Sequence, residues 1–359
     1  MSYSQRLLAW YDLSGRKDLP WQQNVTPYRV WLSEVMLQQT QVSTVIDYFQ
    51  RFTAKYPTVD ELADANLNDV LALWSGLGYY ARARNLYLAA QKIMQQHQGI
   101  IPQELNALIA LPGIGRSTAA AILSLAYHQA QPILDGNVKR VLTRHQAING
   151  WPGHSATERQ LWHLAESLLP KQRFAHYTQA QMDLGATVCT RSKPNCQQCP
   201  IQTDCSAFQS NTIAQFPQKK PKKKIPTRQL HWLVLMSESG EILLNQRDKD
   251  GVWGGLWSFP EFTHLSRLHA FYQQHIASDS PQLTTFPTIK HIFTHYKLDI
   301  SPHLVHSYNY GSVPRLDNTW QWFSPSDALQ LGIPSPVKAF ITFRIREIYD
   351  APSPVCEIE

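Results

Sequence analysis

The most informative stretch of this chain is LPGIGRSTAA, residues Leu111–Ala120. Gly113 and Gly115 flank a single apolar residue, and an alanine-rich segment follows them. This pattern predicts a tight turn that opens a helix, where backbone N–H groups and the helix dipole attract an anion. Two helices joined by such a hairpin can hold a DNA phosphate without reading the base sequence. The alternative is an ordinary turn between helices, which needs only one glycine.

Helical periodicity extends along the first half of the chain. It is seen in Trp31–Phe49, Val70–Leu77, Arg84–His97, Ser117–His128 and Thr157–Leu168. Short breaks that contain glycine or proline separate these segments, and alternating β-branched runs are lacking before about residue 210. We therefore predict an all-α first domain.

The pattern changes after Phe216–Pro226, which contains three prolines and five lysines and reads as a linker. Beyond it, Gln229–Met236 and Glu241–Gln246 predict a β-hairpin, and His291–Ile300 alternates in the same way. Two further segments have helical character, Arg267–His275 and Ser326–Leu331. The second domain is therefore predicted to be α+β.

The size and composition fit a two-domain globular protein. The chain has 359 residues, of which 43% are apolar and 17% charged, and this length can bury a core in each domain. Its apolar runs are shorter than the roughly 18 residues of a membrane span, and Met1–Trp10 lacks the features of a signal peptide. We therefore expect a cytoplasmic protein without a membrane span.

The positive charge is concentrated in one segment. The net charge of the chain is +6, and between Arg191 and Arg228 eight basic residues stand against one acid, Asp204. This segment carries +7, so the rest of the chain sums to −1. Such a block favours binding to a polyanion, nucleic acid above all, with a solubilising linker as the alternative.

Four of the five cysteines, Cys189, Cys196, Cys199 and Cys205, lie close together, and Cys356 stands apart. A secreted disulfide protein would spread its cysteines to join distant loops. The clustering therefore predicts a metal or cluster site in a reducing cytosol. Only one close pair of the kind found in zinc knuckles is present, so the spacing favours an iron–sulfur cluster, with zinc as the alternative.

Two carboxylates are candidate catalytic groups. Glu34 shares a predicted helix face with Trp31 and Leu37, so partial burial should raise its pKa and suit it to donating a proton. Asp135 precedes a helix whose dipole, together with Lys139, would keep it ionised. Each residue has a structural alternative: the rim of an amphipathic helix for Glu34 and a helix N-cap for Asp135.

Four features of the sequence resemble, in order and spacing, the helix-hairpin-helix DNA glycosylases that carry an iron–sulfur cluster, and among them the MutY-type adenine DNA glycosylases. These features are the double-glycine hairpin, the cysteine cluster, and the segments around Glu34 and Asp135. The resemblance covers nearly the whole chain. It implies a mainly α, two-lobed glycosylase domain in residues 1–212, with a six-helix-barrel lobe at about 26–132 and a [4Fe-4S] cluster lobe from 1–25 and 133–212. It also implies a basic linker at 213–228 and an α+β Nudix-like domain at 229–359 that recognises 8-oxoguanine.

The residue after Gly-x-Gly-Arg distinguishes two types of enzyme within this superfamily. In the bifunctional endonuclease III type it is a lysine that forms a Schiff base with the sugar, whereas here it is Ser117. The resemblance therefore implies a monofunctional enzyme that hydrolyses the glycosidic bond of adenine opposite 8-oxoguanine or G in double-stranded DNA, acting as a monomer. Lys139 could trap the abasic aldehyde on occasion.

The resemblance further implies roles for individual side chains. Glu34 would protonate N7 of adenine, and Asp135 would stabilise the positive sugar, through charge or a transient covalent adduct. The implied DNA contacts are Gln39, Tyr79, Gly113, Gly115, Ser117 and Lys139, and the implied adenine pocket is Trp21, Leu37 and Gln179. The extruded base would leave the duplex, with Gln39 and Tyr79 as wedges. Taken alone, Tyr79 fits a core aromatic equally well.

In the second domain, the run Gly251–Phe262 resembles the start of a Nudix segment, but the following Leu265–His275 lacks the carboxylates that bind magnesium. Damage recognition is thus expected in place of hydrolysis. The family's Phe-Ser-His loop, which contacts 8-oxoguanine, matches Phe293, Thr294 and His295. Threonine keeps the hydroxyl donor but adds a methyl group. Without the family, the triplet could consist of ordinary strand residues.

Two other classes of function compete with this interpretation. A bifunctional lyase would break the strand without alkali, and Ser117 argues against it. A non-enzymatic DNA-binding protein or a Nudix hydrolase would release no base, and the pair of Glu34 and Asp135 argues against both.

Overall fold

The structure is a computed structural model that describes residues 1–221, 224–276, 283–308 and 319–345. Packing divides the chain into two compact units. The first contains Met1–Asp64 and Asn85–Lys222, and the second contains Ala65–Arg84 and the described part of Lys223–Glu359.

The first half of the chain is helical, as predicted. Its α-helices are α1 Tyr3–Ser14, α2 Pro27–Leu37, α3 Val42–Lys55, α4 Val59–Ala63, α5 Leu67–Leu73, α6 Ala81–His97, α7 Leu105–Ile109, α8 Arg116–Tyr127, α9 Gly136–His145, α10 Ser155–Ser167, α11 Phe174–Asp183 and α12 Ser206–Gln209. A π-helical turn, Leu184–Val188, continues α11, and short 3₁₀ turns occur at Pro20–Gln22, Cys196–Gln198 and Ile213–Gln215.

The prediction of one helix over Trp31–Phe49 is wrong, because the chain breaks between α2 and α3. The side chain of Thr26 accepts the Arg29 N–H at 3.2 Å and so caps the start of α2. After Leu37 the backbone leaves the helix, and Gln39 adopts a left-handed conformation with φ +59°. Glutamine is a good helix former, so local propensity does not reveal this break.

The core of the first unit surrounds α8 and α11. Buried side chains of α1, α8, α9, α10 and α11 form one apolar cluster, which includes Leu7, Ala120, Val138, Leu161 and Ala180. Small alanines on α8 let the neighbouring helices approach closely, and the cluster reaches the turn that precedes the cysteine loop. Burial of this core, together with the packing of α2 against α8, holds α2, α8, α9 and α11 around one cleft.

The hairpin between α7 and α8 has the predicted form. Gly113 has φ +76°, and a Cβ atom there would lie 2.7 Å from Cβ of Asn85. Only glycine meets both conditions without strain. Gly115 is the N-cap of α8 with φ −89°, and no neighbouring atom lies within 4 Å of a Cβ built on it. The backbone therefore needs glycine at Gly113, whereas Gly115 leaves open space before the helix.

The second unit is built on a mixed sheet. Its strands are β1 Thr227–Ser237, β2 Ile242–Gln246, β3 Trp257–Ser258, β4 Glu261–Phe262, β5 Thr284–Thr285, β6 Ile289–Ile292, β7 Lys297–Tyr308 and β8 Trp320–Phe323. The main order is β3-β2-β1-β7-β5, with β4 beside β1, β6 beside β7 and β8 beside β2. The predicted hairpin is confirmed as β1 and β2, which pair antiparallel. β1 and β7 pair in parallel from Thr227↔Lys297 onward.

Both faces of this sheet are covered. Alternate residues of β1 point to opposite sides: Trp232 and Val234 pack with α15 (Ser335–Phe340), whereas Leu233 and Leu235 pack with α13 (Leu265–His275). α14 (Pro325–Ala328) and a π-helical turn, Ile341–Ile345, complete the first side. The α+β prediction is therefore confirmed, with a helical layer on each face.

Residues 65–84 pack within the second unit. The Tyr80 hydroxyl donates to the carbonyl oxygen of Ile333 at 2.9 Å, and Arg84 Nη1 donates to that of Gly254 at 2.7 Å. Leu71 lies against Gly332, where an added Cβ would come within 2.9 Å of it. This segment is thus held by contacts to a part of the chain that follows it by more than 150 residues.

In the four stretches of chain that the structure describes, no helix is long and apolar enough to cross a membrane.

Candidate active site and cysteine loop

A cleft of about 1410 Å³ in the first unit contains both predicted carboxylates. Its walls are formed by α2 and the loop that follows it, the start of α8, the start of α9, and α11. Glu34 lies on the α2 wall and Asp135 on the α9 wall. Two residues 101 positions apart in the chain therefore border one space that is large enough for a nucleotide.

Glu34 has the environment that the sequence predicts. Its neighbours along α2, among them Val30 and Trp31, are buried, and Leu37 is partly buried in the same wall. Burial is the larger influence and the negative charge of Asp135 the smaller, and together they raise the pKa of Glu34 to about 8. The carboxyl group therefore keeps its proton at neutral pH.

Asp135 is both a helix cap and a wall of the cleft. Its carboxylate accepts the Val138 N–H at 2.7 Å and the Asn137 Nδ2 at 3.2 Å, which makes it the N-cap of α9. Burial raises its pKa, and the hydrogen bonds from Val138 and Asn137 and the charge of Arg140 act in the opposite direction. The structure therefore confirms the N-cap alternative, and the same carboxylate borders the cleft. Its catalytic role stays a prediction.

The cation beside Asp135 is Arg140, which sequence reasoning did not identify. Lys139 instead pairs with Glu158 at 2.6 Å. Arg140 Nη2 donates to Asn137 Oδ1 at 2.8 Å, and its Nε donates to the carbonyl oxygen of Cys189 at 2.8 Å. One guanidinium thus joins the start of α9 to the cysteine loop.

The predicted adenine-pocket residues Trp21, Leu37 and Gln179 all line the cleft. Gln179 is buried, and its Nε2 donates to Asp183 Oδ1 at 3.0 Å. Asp183 is 1% exposed and pairs with Arg16, whose Nε lies 2.9 Å from the same oxygen. Asp183 and Arg16 were not predicted, and they fix the orientation of the Gln179 amide.

Ser117 also lines the cleft, at the first turn of α8. Its Oγ accepts the backbone N–H of Leu134 at 3.1 Å. The hydroxyl therefore ties the hairpin to the segment that leads into Asp135. Gly113 and Gly115 lie in the same hairpin, immediately before α8.

Gln39 and Tyr79 are both exposed and both left-handed, in different units. Gln39 lies in the loop after α2, where it borders the cleft with φ +59°. Tyr79 has φ +50°, and 51% of its surface is exposed. The Arg82 guanidinium lies 5.4 Å from the ring of Tyr79 and donates to the carbonyl oxygen of Gly78 at 3.1 Å. A bulky exposed side chain on a strained backbone is uncommon away from functional sites.

The four clustered cysteines line one small cavity in the loop after α11. Arg144 is 3% exposed and holds this loop: its Nη1 donates to Cys189 Sγ at 3.4 Å and to the Thr190 carbonyl oxygen at 2.7 Å. Its Nε donates to the Phe216 carbonyl oxygen at 3.0 Å. In the described part of the chain, no three His, Cys, Asp or Glu side chains are arranged as ligands of a single metal ion.

In the second unit, Phe293, Thr294 and His295 form the turn between β6 and β7. The Phe293 N–H donates to the Tyr296 carbonyl oxygen at 2.9 Å, which closes the turn. Thr294 and His295 are exposed, and Thr294 Oγ1 lies 2.8 Å from His295 Nδ1. The triplet therefore lies at the tip of a hairpin, with two polar side chains facing solvent.

Comparison with known proteins identifies two domain families. Residues 32–167 match the HhH-GPD superfamily of base excision DNA repair proteins, and residues 231–343 match the NUDIX domain. The fold resembles the solved structure of a thermostable thymine-DNA glycosylase, with a TM-score of 0.53 and 25% identity over 58% of this chain and 95% of that one. A non-covalent endonuclease III–DNA complex has the same fold, with a TM-score of 0.50 and 21% identity over 59% of this chain and 99% of that one.

Two relatives that match over most of this chain narrow the family further. The adenine DNA glycosylase of Buchnera aphidicola from Acyrthosiphon pisum is 37% identical, over 94% of this chain and 96% of its own length. The human adenine DNA glycosylase is 36% identical, over 81% of this chain and 64% of its own length. Because the two domain matches and this level of identity agree, the chain belongs to the adenine DNA glycosylases.

Proposed function

We propose that this enzyme releases adenine opposite 8-oxoguanine or G in double-stranded DNA, as a monofunctional hydrolase. The observation that carries the proposal is the pair of carboxylates, Glu34 and Asp135, on different walls of one cleft. Glu34 is protonated near neutral pH, whereas Asp135 accepts hydrogen bonds that favour its charged form. Carboxylates with opposed protonation states are typical of glycosidic bond cleavage.

The proposed reaction begins with proton donation. The Glu34 carboxyl donates its proton to N7 of the extruded adenine, and the electron pair of the C1′–N9 bond then leaves with the base. The sugar becomes positively charged, and the Asp135 carboxylate stabilises it by charge or through a transient covalent bond. Water then adds to C1′ and loses a proton to Glu34, which restores the starting state. The product is free adenine and an abasic site.

Two positions support hydrolysis without strand cleavage. Ser117 stands where the bifunctional relatives carry a lysine, and its hydroxyl is engaged with the backbone of Leu134. Lys139, the other candidate amine, forms an ion pair with Glu158. A protonated amine in an ion pair is a poor nucleophile, which leaves Lys139 as a DNA contact.

The adenine would bind between Trp21, Leu37 and Gln179. The Trp21 ring and the Leu37 side chain supply apolar surface in the cleft. Because the Gln179 amide nitrogen donates to Asp183, its oxygen is the atom directed to other partners, and it can accept from the N6 amino group. Guanine carries an oxygen at the equivalent position, so this arrangement favours adenine.

The duplex would be held at several points on the two units. The α8 hairpin, with Gly113, Gly115 and Ser117, offers backbone N–H groups to a phosphate. Gln39 and Tyr79 are exposed side chains suited to enter the base stack, which supports their role as wedges. The basic segment between Arg191 and Arg228 supplies the long-range attraction.

The base opposite adenine would be read by the turn Phe293–His295. The Thr294 hydroxyl and the His295 ring are exposed polar groups at the tip of this turn. α13, which follows the Nudix-like run, contains no Asp or Glu. Magnesium-dependent pyrophosphate hydrolysis needs such carboxylates, so the domain is suited to recognition.

The four cysteines would hold a [4Fe-4S] cluster. A cubane is ligated by thiolates that surround it, one on each iron, and the thiols of Cys189, Cys196, Cys199 and Cys205 surround one cavity. The cluster would supply a rigid, thiolate-bound frame for the basic loop around Arg191 and Lys193. We expect the purified protein to contain about four irons per chain and little zinc, as measured by metal analysis.

The decisive experiment uses one duplex with a single A:8-oxoguanine pair and one with A:G. We expect free adenine from both duplexes, with strand breakage only after alkali treatment. Breakage without alkali, or a borohydride-trapped adduct as a required intermediate, would show a bifunctional lyase. Absence of base release would disprove the proposed function.

A further inference from the structure

Trp253 has a backbone conformation that its side chain does not favour. Its φ is +60°, whereas Gly251 at +83° and Gly255 at +74° reach similar values as glycines. A bulky aromatic residue in the left-handed region is a clear outlier, and such strain persists only where the surroundings compensate for it. The contacts of the Trp253 ring should therefore explain why tryptophan is found there.

The Trp253 ring packs behind the turn that carries Thr294 and His295. Its centroid lies 5.0 Å from that of Phe293, edge to face, and 5.2 Å from that of His291. Phe293 in turn lies 4.8 Å from Tyr296. The tryptophan thus contacts the first residue of the turn and the strand leading into it.

Tyr296 also contacts a residue of β1. The Arg228 guanidinium lies 4.4 Å from the Tyr296 ring, and β1 and β7 pair through Arg228↔Leu298. These contacts form a continuous series from Trp253 through Phe293 and Tyr296 to Arg228, which we call the aromatic support. Thr294 and His295, between Phe293 and Tyr296 in the chain, are exposed.

The loop that presents Trp253 is itself held in place. The Gly255 N–H donates to the Arg247 and Asp248 carbonyl oxygens at 3.1 and 2.9 Å, and a Cβ on Gly254 would lie 2.3 Å from the Lys249 carbonyl oxygen. From the other side, Arg84 Nη1 donates to the Gly254 carbonyl oxygen. Such a closed loop is able to impose a fixed ring position on Trp253.

We propose that Trp253 is a positioning residue for 8-oxoguanine recognition. It holds Phe293, and through it the backbone of the turn, so that Thr294 and His295 meet the base opposite adenine in one geometry. This inference rests on the proposed function, since it assumes that the turn reads that base. Trp253 does not line the cleft that contains Glu34 and Asp135.

The test compares single-turnover rates of adenine release from A:8-oxoguanine and A:G duplexes at subsaturating enzyme, for wild type, Trp253→Gly and Trp253→Phe. Glycine suits a φ of +60°, so Trp253→Gly removes the ring without adding backbone strain. We expect the preference for A:8-oxoguanine to fall about 2- to 10-fold, the range for losing such aromatic contacts, with the A:G rate little changed. Trp253→Phe should recover most of the preference.

One control makes the result specific, and a further variant covers a failure to fold. Trp320→Gly removes a stacked aromatic pair with Phe271 on the other face of the sheet, so it tests general loss of stability and should leave the preference intact. If Trp253→Gly does not fold, Trp253→Asn replaces it, because asparagine tolerates the left-handed conformation.

The outcomes separate this inference from the proposed function. If His295→Ala loses the preference but Trp253→Gly keeps it, the turn reads the base and the positioning role is disproved. If wild type and His295→Ala show equal preference, recognition by the turn is disproved as well. Equal losses for Trp253→Gly and Trp320→Gly would mean that Trp253 only stabilises the domain.

Discussion

Glu34 and Asp135 are similar carboxyl groups in different surroundings. Glu34 lies on an apolar helix face, and burial raises its pKa to about 8. Asp135 caps α9 and has the Arg140 guanidinium nearby, so hydrogen bonds and charge oppose the effect of burial. The same kind of side chain is thereby suited to act as an acid at one wall and as an anion at the other.

Replacing Glu34 by glutamine should remove the proton donor while keeping the size of the side chain. We expect the single-turnover rate of adenine release to fall by about 10²–10⁴-fold, with duplex affinity within a factor of about 2. Glu61→Gln, an exposed residue of α4, is the matched control. A Glu34→Gln enzyme with a near wild-type rate would contradict the assignment of the acid.

The rate should depend on pH through the same two groups. As pH rises through about 8, Glu34 loses its proton and adenine release should decline, approaching about tenfold per pH unit. As pH falls, Asp135 should become protonated at a higher pH than an ordinary aspartate does, since burial raises its pKa. A rate that rises between pH 7 and 9 would be incompatible with a protonated Glu34 as the acid.

Stability should also depend on pH at Glu34. Its pKa is about 8 in the folded chain against 4.5 ordinarily, so between these values the unfolded chain loses the proton first and rising pH destabilises the fold. The Glu34→Gln variant has no carboxyl group at this position, so it lacks this destabilisation. We expect the difference in Tm between Glu34→Gln and wild type, measured by thermal unfolding, to increase from pH 4.5 to pH 8. A constant difference would show that Glu34 titrates normally.

The α7–α8 hairpin shows how two similar glycines differ in purpose. Gly113 is required by its positive φ and by the closeness of Asn85, whereas Gly115 satisfies neither condition and faces open space. The first glycine therefore serves the fold. The second leaves room for a ligand at the start of α8, which is consistent with phosphate binding there.

Alanine variants should separate these two purposes. Gly113→Ala should lower the free energy of unfolding by more than about 1 kcal/mol, because a Cβ would lie 2.7 Å from Asn85. Gly115→Ala should leave stability nearly unchanged and weaken duplex affinity at fixed salt, since its methyl group occupies the approach of the phosphate. Thermal unfolding and fluorescence anisotropy measure the two effects. If both variants lost stability equally, the distinction would be wrong.

The two packing units do not follow the order of the chain. Residues 65–84 lie between helices of the first unit in sequence, yet they pack with the C-terminal part through Leu71, Tyr80 and Arg84. Tyr79, a proposed DNA wedge, is therefore carried by the unit that also carries the turn Phe293–His295. Contacts in the second unit thus support two proposed DNA contacts from distant parts of the sequence.

Disturbing this packing should loosen residues 65–84. In Gly332→Val the added side chain would collide with Leu71, since even a Cβ would lie 2.9 Å from it. We expect faster amide hydrogen exchange across 65–84 and unchanged exchange in α8 and α11. Tyr80→Phe removes the hydroxyl that is hydrogen-bonded to Ile333 and Ser75, and it should have a smaller effect of about 1 kcal/mol. Unchanged exchange in Gly332→Val would refute the packing.

Much of the fold could be predicted from local patterns. Helical periodicity indicated α5, α6, α8 and α10 and the region of α2 and α3, but it missed α1 and α11. The alternation of Gln229–Met236 and Glu241–Gln246 predicted the hairpin of β1 and β2. The break at Gln39 escaped prediction, because no residue there disfavours a helix. The candidate acid and the cysteine loop were recognisable because their signals lie within a few turns of chain.

The supporting residues could not be predicted in this way. Arg16 meets Asp183 across 167 positions, and Arg144 meets Phe216 across 72. Trp253 reaches the turn Phe293–His295 from another loop. Periodicity, capping and cysteine spacing are properties of neighbouring residues, so the chain displays them before it folds. Which guanidinium or ring supports each site depends on packing that brings distant segments together, and no local pattern contains that information.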